Sequence, residues 1–243
     1  MKTIVVIPAR YGSSRLAGKV LAKETGKYLV QHTYERALCA RRVSAVVIAT
    51  DDARVSAACR EFGAACVMTS AAHQSGTDRI AEAVDTLDCD VVVNLQADEP
   101  EIDPAYIDRV AELLESNPDA HMATLLAPFE TAGDAANPNI VKCVTDKNGR
   151  ALYFSRSAIP YDRQSAGVGE LSLYRRHLGI YAYRKDFLKL YTALPQSPLE
   201  RCEKLEQLRV LENGFIILTA VVDKAWDGVD TPEQYAAFAG RCK

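Results

Sequence analysis

The chain has no excess of either charge. Its 243 residues carry 29 lysines and arginines against 32 aspartates and glutamates, a net charge of −3. A protein held electrostatically to nucleic acid or to an anionic membrane would carry a basic excess, so the balance argues against both partners. Paired cysteines are missing too. The seven cysteines (39, 59, 66, 89, 143, 202 and 242) are odd in number, scattered, and never spaced C-x-x-C. That pattern argues against a disulfide framework and a thiolate zinc site, and it points to reduced thiols in a cytoplasmic setting. No apolar run approaches the length of a membrane span, and residues 4–7, before Pro8, are too few for a signal-peptide core. Internal repeats and low-complexity segments are also lacking. What is there, 48% hydrophobic and 25% charged residues, is the composition of an ordinary globular chain long enough for one large domain.

Short valine- and isoleucine-rich runs at residues 4–7, 45–49, 65–68 and 91–95 read as strands buried on both faces. Helical patterns at 28–41, 52–62, 77–87 and 104–115 alternate with them. Strand–helix–strand repetition at this spacing predicts an α/β fold, with a mostly parallel central sheet and helices on both faces. After about residue 118 the rhythm changes. Residues 121–127, 141–145, 151–155 and 178–183 read as strands with short polar links, and Asn148-Gly149 is a hairpin signal. A helix over 199–213, stopped by Gly214, and a strand over 215–222 complete the chain. The expectation is a single domain over residues 1–243, with a smaller β-rich insertion at about 125–185.

Two loops carry the chemistry. In an open parallel sheet, ligands bind beyond the carboxyl ends of the strands. There, after the first strand, Arg10, Arg15 and Lys19 flank a Gly- and Ser-containing loop, a set that can offer backbone N–H groups and cations to a polyphosphate. A solvated turn with ordinary surface cations is the competing reading. The P-loop is excluded: five residues separate Gly12 from Gly18, and Val20 follows the lysine. The G-x-G-x-x-G pattern is absent. After the fourth strand, Gln96-Ala97-Asp98-Glu99-Pro100 brings adjacent carboxylates to the same sheet edge. Opposite a cationic loop they favour a magnesium site, since that ion takes one or two carboxylates and completes its shell with water and phosphate. A second acidic turn, Asp227-Gly228-Val229-Asp230-Thr231-Pro232, precedes a helix that Asp230 or Thr231 could cap.

Together these segments resemble the 3-deoxy-manno-octulosonate cytidylyltransferase (CMP-KDO synthetase) family along nearly the whole chain. The matching residues are Ile7-Pro8-Ala9-Arg10-Tyr11-Gly12-Ser13-Ser14-Arg15-Leu16 and Gly18-Lys19, then Ala49-Thr50-Asp51-Asp52 and Met68-Thr69-Ser70. They continue with His73, Ser75-Gly76-Thr77-Asp78-Arg79, Asn94, Gln96, Asp98-Glu99-Pro100 and His177-Leu178-Gly179-Ile180-Tyr181. Glu203, Leu205-Glu206-Gln207-Leu208-Arg209 and Gly228-Val229-Asp230-Thr231-Pro232 complete the set. Each motif is weak alone, and their joint occurrence in order is specific.

The resemblance implies a nucleotide-diphospho-sugar transferase-like fold and a reaction, CTP plus the sugar acid KDO giving CMP-KDO and pyrophosphate for lipopolysaccharide biosynthesis. It implies Mg2+ on Asp98 and Asp230, with Arg10, Arg15 and Lys19 as the triphosphate cradle. Lys19 and Arg15 would also act in catalysis. Ser75 and Arg79 would read cytosine, and Gln96 would serve nucleotide and sugar. Arg156 would meet the substrate carboxylate, with His177, Glu206 and Gln207 on the sugar hydroxyls. It further implies a homodimer, with the 125–185 insertion used in dimerisation and sugar binding. His73 reads as structural, and Glu203 and Lys204 as ordinary surface residues.

Three residues depart from the family pattern. Ala17 and Val20 stand where prolines are usual, which loosens the loop by about 0.5–1 kcal/mol each. Ala97 stands where glycine is usual, at a cost of about 1 kcal/mol if its φ is positive. The alternatives are activation of another 2-keto sugar acid, such as amino-KDO or a sialic acid, a transferase acting on sugar 1-phosphates, and a catalytically silent nucleotide-binding regulator.

Overall fold

In the computed structural model, residues 1–12, 18–226 and 228–242 are described. The chain forms two compact units, residues 1–108 with 226–243, and residues 109–225.

The first unit begins β1 (Thr3–Pro8), α1 (Leu29–Leu38), β2 (Ala45–Thr50), α2 (Ala53–Glu61), β3 (Cys66–Met68), α3 (Gly76–Asp85) and β4 (Val91–Asn94). Its strands lie in the order β3-β2-β1-β4, every pairing parallel. The apolar runs of β1 and β4 are buried along almost their whole length, as both-face burial requires. β3 departs from that expectation. Cys66 and Val67 are half-buried and Met68 is exposed, because β3 ends its row with one partner strand.

The chain runs out from β1 through β2 to β3 and returns as β4 on the other flank of β1. The carboxyl ends of β1 and β4 therefore border a switch point, where an open α/β sheet leaves a crevice. Helices α2 and α3 start on side-chain caps. The Asp52 carboxylate accepts from Arg54 N, and the Ser75 hydroxyl from Asp78 N.

Helix α4 (Pro104–Glu115) leads into the second unit. That unit holds β5 (Met122–Pro128), α5 (Ala132–Ala136), β6 (Lys142–Thr145), β7 (Ala151–Ser155), β8 (Arg175–Arg184), α6 (Lys185–Ala193), α7 (Pro198–Glu203), α8 (Gln207–Glu212) and β9 (Ile217–Val221). β5 lies between antiparallel β8 and parallel β9, while β6 pairs antiparallel with β7 and β8. The β6–β7 hairpin turns at Gly149 with φ +76°, as the Asn-Gly signal predicts. An added Cβ there would also lie 3.1 Å from Thr219 O.

The single helix expected over 199–213 is two. Lys204 takes the left-handed conformation (φ 55°), terminates α7, and donates its N–H to Glu200 O. Its apolar stripe breaks with it: Leu205 and Leu208 are buried, whereas Leu199 and Cys202 are exposed.

α9 (Pro232–Arg241) returns to the first unit, where Tyr235 and Phe238 pack with Leu29 and Val229. None of the seven cysteines, all among the described residues, is in a disulfide. Among the described residues no helix is long and apolar enough to cross a membrane.

Candidate active site

The first unit assembles its site from three loops far apart in sequence. β1 delivers Arg10, which is exposed, after Ala9 N has bonded to Ala49 O. Gly18 then takes φ +66° and lies so close to Tyr11 that a Cβ would come within 3.1 Å of the ring. This turn starts a short 3-10 helix, Lys19–Leu21, and directs Lys19 inward, 8% exposed. Val20 is buried, which fastens the turn that proline would otherwise stiffen. Arg15 and Ala17 lie outside the described residues.

β4 ends in the second loop. Gln96 Nε2 donates to Asn94 Oδ1, and Glu99 N closes a turn onto Gln96 O. Ala97 is buried, and its carbonyl accepts the Thr33 hydroxyl at 3.0 Å. Among the described residues the positive-φ non-glycines are Ala166 and Lys204. The alanine in place of glycine at 97 therefore carries no left-handed strain.

The third loop precedes α9. Val229 N donates to Asp98 O at 2.8 Å, and at Gly228 a Cβ would meet Glu99 Oε1 at 3.1 Å and Asp98 O at 3.3 Å. Thr231 caps α9 in a reciprocal box with Gln234. The capping role considered for Asp230 thus falls to Thr231, and the Asp230 carboxylate is directed elsewhere.

It is directed at Lys19. The ammonium lies 2.6 Å from Asp98 Oδ2 and 2.9 Å from Asp230 Oδ1. Burial pulls the Lys19 pKa down, but Asp98, by charge and hydrogen bond, and then Asp230 outweigh it and hold the pKa above the ordinary lysine value. Two carboxylates converging on one cation can also hold a hard divalent ion. Among the described residues no group of three or more His, Cys, Asp or Glu side chains forms a cage. The pair therefore suits an ion that brings water and phosphate ligands of its own.

Gly76 brings the start of α3 against Pro8, where a Cβ would stand 3.3 Å from the ring. Ser75 caps α3, its hydroxyl accepting from Asp78 N. Arg79 is buried, pairs with Asp51 at 3.2 Å and donates to Thr69 Oγ1 at 2.6 Å, so it braces two loops beside that helix. His73 and Ser70 N both bond Glu82, the structural role expected of the histidine.

The remaining expected residues lie in the second unit. Arg156 donates from Nε to Glu203 O at 2.6 Å and from Nη1 to Pro138 O at 3.1 Å, and the rest of its fork is uncommitted among the described residues. Glu203 is not an ordinary surface residue. Its carboxylate accepts from Ser155 Oγ and Arg156 N, anchoring the segment that carries the arginine. Its place within the matched block was the available signal. Lys142, wholly buried, donates to Asn137 O, Ile140 O and Arg156 O, and burial lowers its pKa.

His177 bonds Thr124 at 3.1 Å, and burial pushes its pKa down to about 3. Glu206 opens α8, and its carbonyl accepts from Tyr191. Arg209, on the same helix, forks onto Glu200. Gln207 is buried with its Nε2 lacking a hydrogen-bond partner, a donor that a ligand oxygen would satisfy.

Residues 4–221 match the cytidylyltransferase family. Curated relatives called 3-deoxy-manno-octulosonate cytidylyltransferase are similar over almost their full length. One from Geobacter metallireducens is 48% identical, covering 96% of this chain and 94% of its own. One from Trichlorobacter lovleyi is 45% identical, covering 100% and 99%. This chain belongs to the 3-deoxy-manno-octulosonate cytidylyltransferase family. The family is one of nucleotidyltransferases, as the resemblance in sequence implied.

A solved CMP:2-keto-3-deoxy-manno-octonic acid synthetase, complexed with CTP, superposes with a TM-score of 0.94 at 44% identity, over 99% of this chain and 98% of that one. A cytidylyltransferase from Leptospira borgpetersenii, 18% identical with a TM-score of 0.65 over 98% of this chain and 85% of that one, shares the fold.

Proposed function

We propose that this enzyme transfers the cytidylyl group of CTP to the anomeric 2-hydroxyl of 3-deoxy-manno-octulosonate, releasing pyrophosphate and supplying CMP-KDO for lipopolysaccharide biosynthesis. The observation that carries the proposal is the Lys19 ammonium held by Asp98 and Asp230. The three side chains together carry one net negative charge, which repels a triphosphate unless a divalent cation accompanies it. Asp98 and Asp230 would hold Mg2+, which lowers the pKa of an attacking hydroxyl and screens charge on the leaving group.

Lys19 supplies a buried positive charge for phosphate oxygens, and Arg10 and Arg15 extend the cradle along the first loop. Ser75 and Arg79 serve the cytosine side, with Arg79 setting the pocket through Asp51 and Thr69. Gln96 offers its amide to nucleotide and sugar. On the acceptor, Arg156 forks onto the carboxylate, while His177, Glu206 and Gln207 meet hydroxyls. The unpartnered Gln207 Nε2 supports that assignment. The chemistry is displacement at the α-phosphorus, driven by positioning and charge neutralisation.

The reading extends to a homodimer that uses the 125–185 segment, where Leu152, Tyr161 and Leu173 are exposed, and to a reducing cytoplasm that suits seven cysteines held outside disulfides. Light scattering on the purified chain decides the dimer, and a monomeric mass would refute it.

Pyrophosphate release from CTP and Mg2+, measured in turn with KDO, amino-KDO and N-acetylneuraminate, tests the substrate. KDO is expected to turn over fastest. Slower turnover of KDO than of either rival would assign the other acid, and no release with any of them would reject the reaction.

A further inference from the structure

Thr124, fully buried on β5, sits where the ladder with β8 slips. Thr124 is opposite Tyr181, whereas its neighbour Leu125 is opposite Leu178. Gly179 and Ile180 are passed over and form a bulge, a device that re-aims nearby side chains. Carbonyls at this bulge turn to the threonine hydroxyl, Ile180 O at 2.7 Å and Leu178 O at 3.1 Å from Oγ1. The third neighbour of that oxygen is His177 Nε2, at 3.1 Å.

A hydroxyl has a single proton, and a carbonyl can only accept. Turning the proton toward the imidazole would leave two bare oxygen–oxygen contacts, one of them at 2.7 Å. The proton therefore goes to the carbonyl side, and His177 Nε2 must be the N–H that donates to Thr124. In a neutral ring the other nitrogen, Nδ1, then carries the lone pair. Burial keeps the ring neutral, with its pKa pushed down to about 3. Phe154, near edge-on at 5.0 Å, and Tyr181, at 5.3 Å, hold the ring plane.

We propose that Thr124 is a positioning residue that fixes His177 as the Nε2–H tautomer, so that Nδ1 accepts a hydrogen bond from a hydroxyl of the sugar acid. The choice of ligand rests on the function proposed above, and the tautomer does not. An acceptor nitrogen selects acids that present an O–H donor at that place.

The test uses the full chain labelled with 15N-histidine and long-range proton–nitrogen NMR at neutral pH, with the His177 signals identified by their loss in His177→Gln. The expected spectrum shows a lone-pair Nδ1 and a protonated Nε2, and the opposite pattern would overturn the proposal. In kinetics, Thr124→Val is expected to raise the KM for the sugar acid about tenfold while leaving the KM for CTP unchanged, and Thr124→Ser to restore it. An unchanged sugar-acid KM, or an equal rise in both constants, would also overturn it. Should Thr124→Val fail to fold, the wild-type spectrum still decides the tautomer. Absence of turnover with every sugar acid would reject the reaction and with it the ligand, a failure separate from the spectrum.

Discussion

Lys19 Nζ lies 2.9 Å from Asp230 Oδ1 although 211 positions separate them in sequence. The contact exists because Gly18 turns the first loop inward and Thr231 takes over the capping of α9, freeing the Asp230 carboxylate. The neighbouring contact with Asp98 makes the lysine a shared counter-charge for two acids.

Removing one of those acids keeps its size if asparagine replaces it. Asp98→Asn and Asp230→Asn are each expected to lower kcat/KM about a hundredfold or more, with the thermal transition retained. Chelation of divalent metal in the assay is expected to abolish wild-type turnover. Near-wild-type rates in either variant would reject the metal assignment.

Gly228 keeps the third loop against the second. A Cβ at this position would lie 3.1 Å from Glu99 Oε1 and 3.3 Å from Asp98 O, close enough that the neighbouring loop must give by a few tenths of an ångström. Gly228→Ala is expected to lower kcat/KM several-fold and stability by about 1 kcal/mol, the scale of a modest overpacking strain. Steady-state kinetics with a parallel urea titration checks both. An unaffected variant would mean that the two loops need not meet so closely.

In the second unit, Arg209 forks onto Glu200 at 2.7 and 2.5 Å, with both side chains largely buried. Glu200→Gln leaves the guanidinium charge buried without its partner, and is expected to cost about 3 kcal/mol in urea denaturation. The paired substitution Glu200→Leu with Arg209→Met removes both charges and is expected to cost less. A double variant less stable than the single one would show that the pair contributes net stability.

The parallel half of the fold was readable because β1 and β4 consist almost wholly of apolar residues, and because Asp52, Ser75 and Thr231 are cap residues by chemistry. The break at Lys204 was not readable, since no glycine or proline marks it and Leu199 and Cys202 continue the helical spacing of Leu205 and Leu208. Helix α6 begins at Arg184 without a side-chain cap, although Phe187, Leu188 and Tyr191 carry its buried face. Arg10, Lys19 and Asp98 could be placed at strand ends from sequence alone. The anchoring role of Glu203 and the bulge beneath His177 depend on partners about 50 positions away, which a linear reading cannot pair.

Acid is expected to loosen the fold through histidine. The His177 value in the folded chain is about 3 against an ordinary 6.5, so between those values the unfolded chain takes a proton that the folded one refuses. Stability is then full above pH 6.5 and declines as pH falls toward 3. His32 and His121, lowered chiefly by burial, act in the same direction. Asp52, held at about 2 chiefly by its hydrogen bond from Arg54, adds to the loss below its ordinary 3.8. The urea midpoint is expected to be lower at pH 5 than at pH 7, with a smaller drop in His177→Gln. A midpoint that rises on acidification would contradict this.

The most direct test of the central claim is a crystal grown with CTP and Mn2+ and measured at the manganese absorption edge. The account predicts an anomalous peak bonded to carboxylate oxygens of both Asp98 and Asp230, with the triphosphate beside Lys19. CTP and manganese bound together at a place that touches neither aspartate would contradict it.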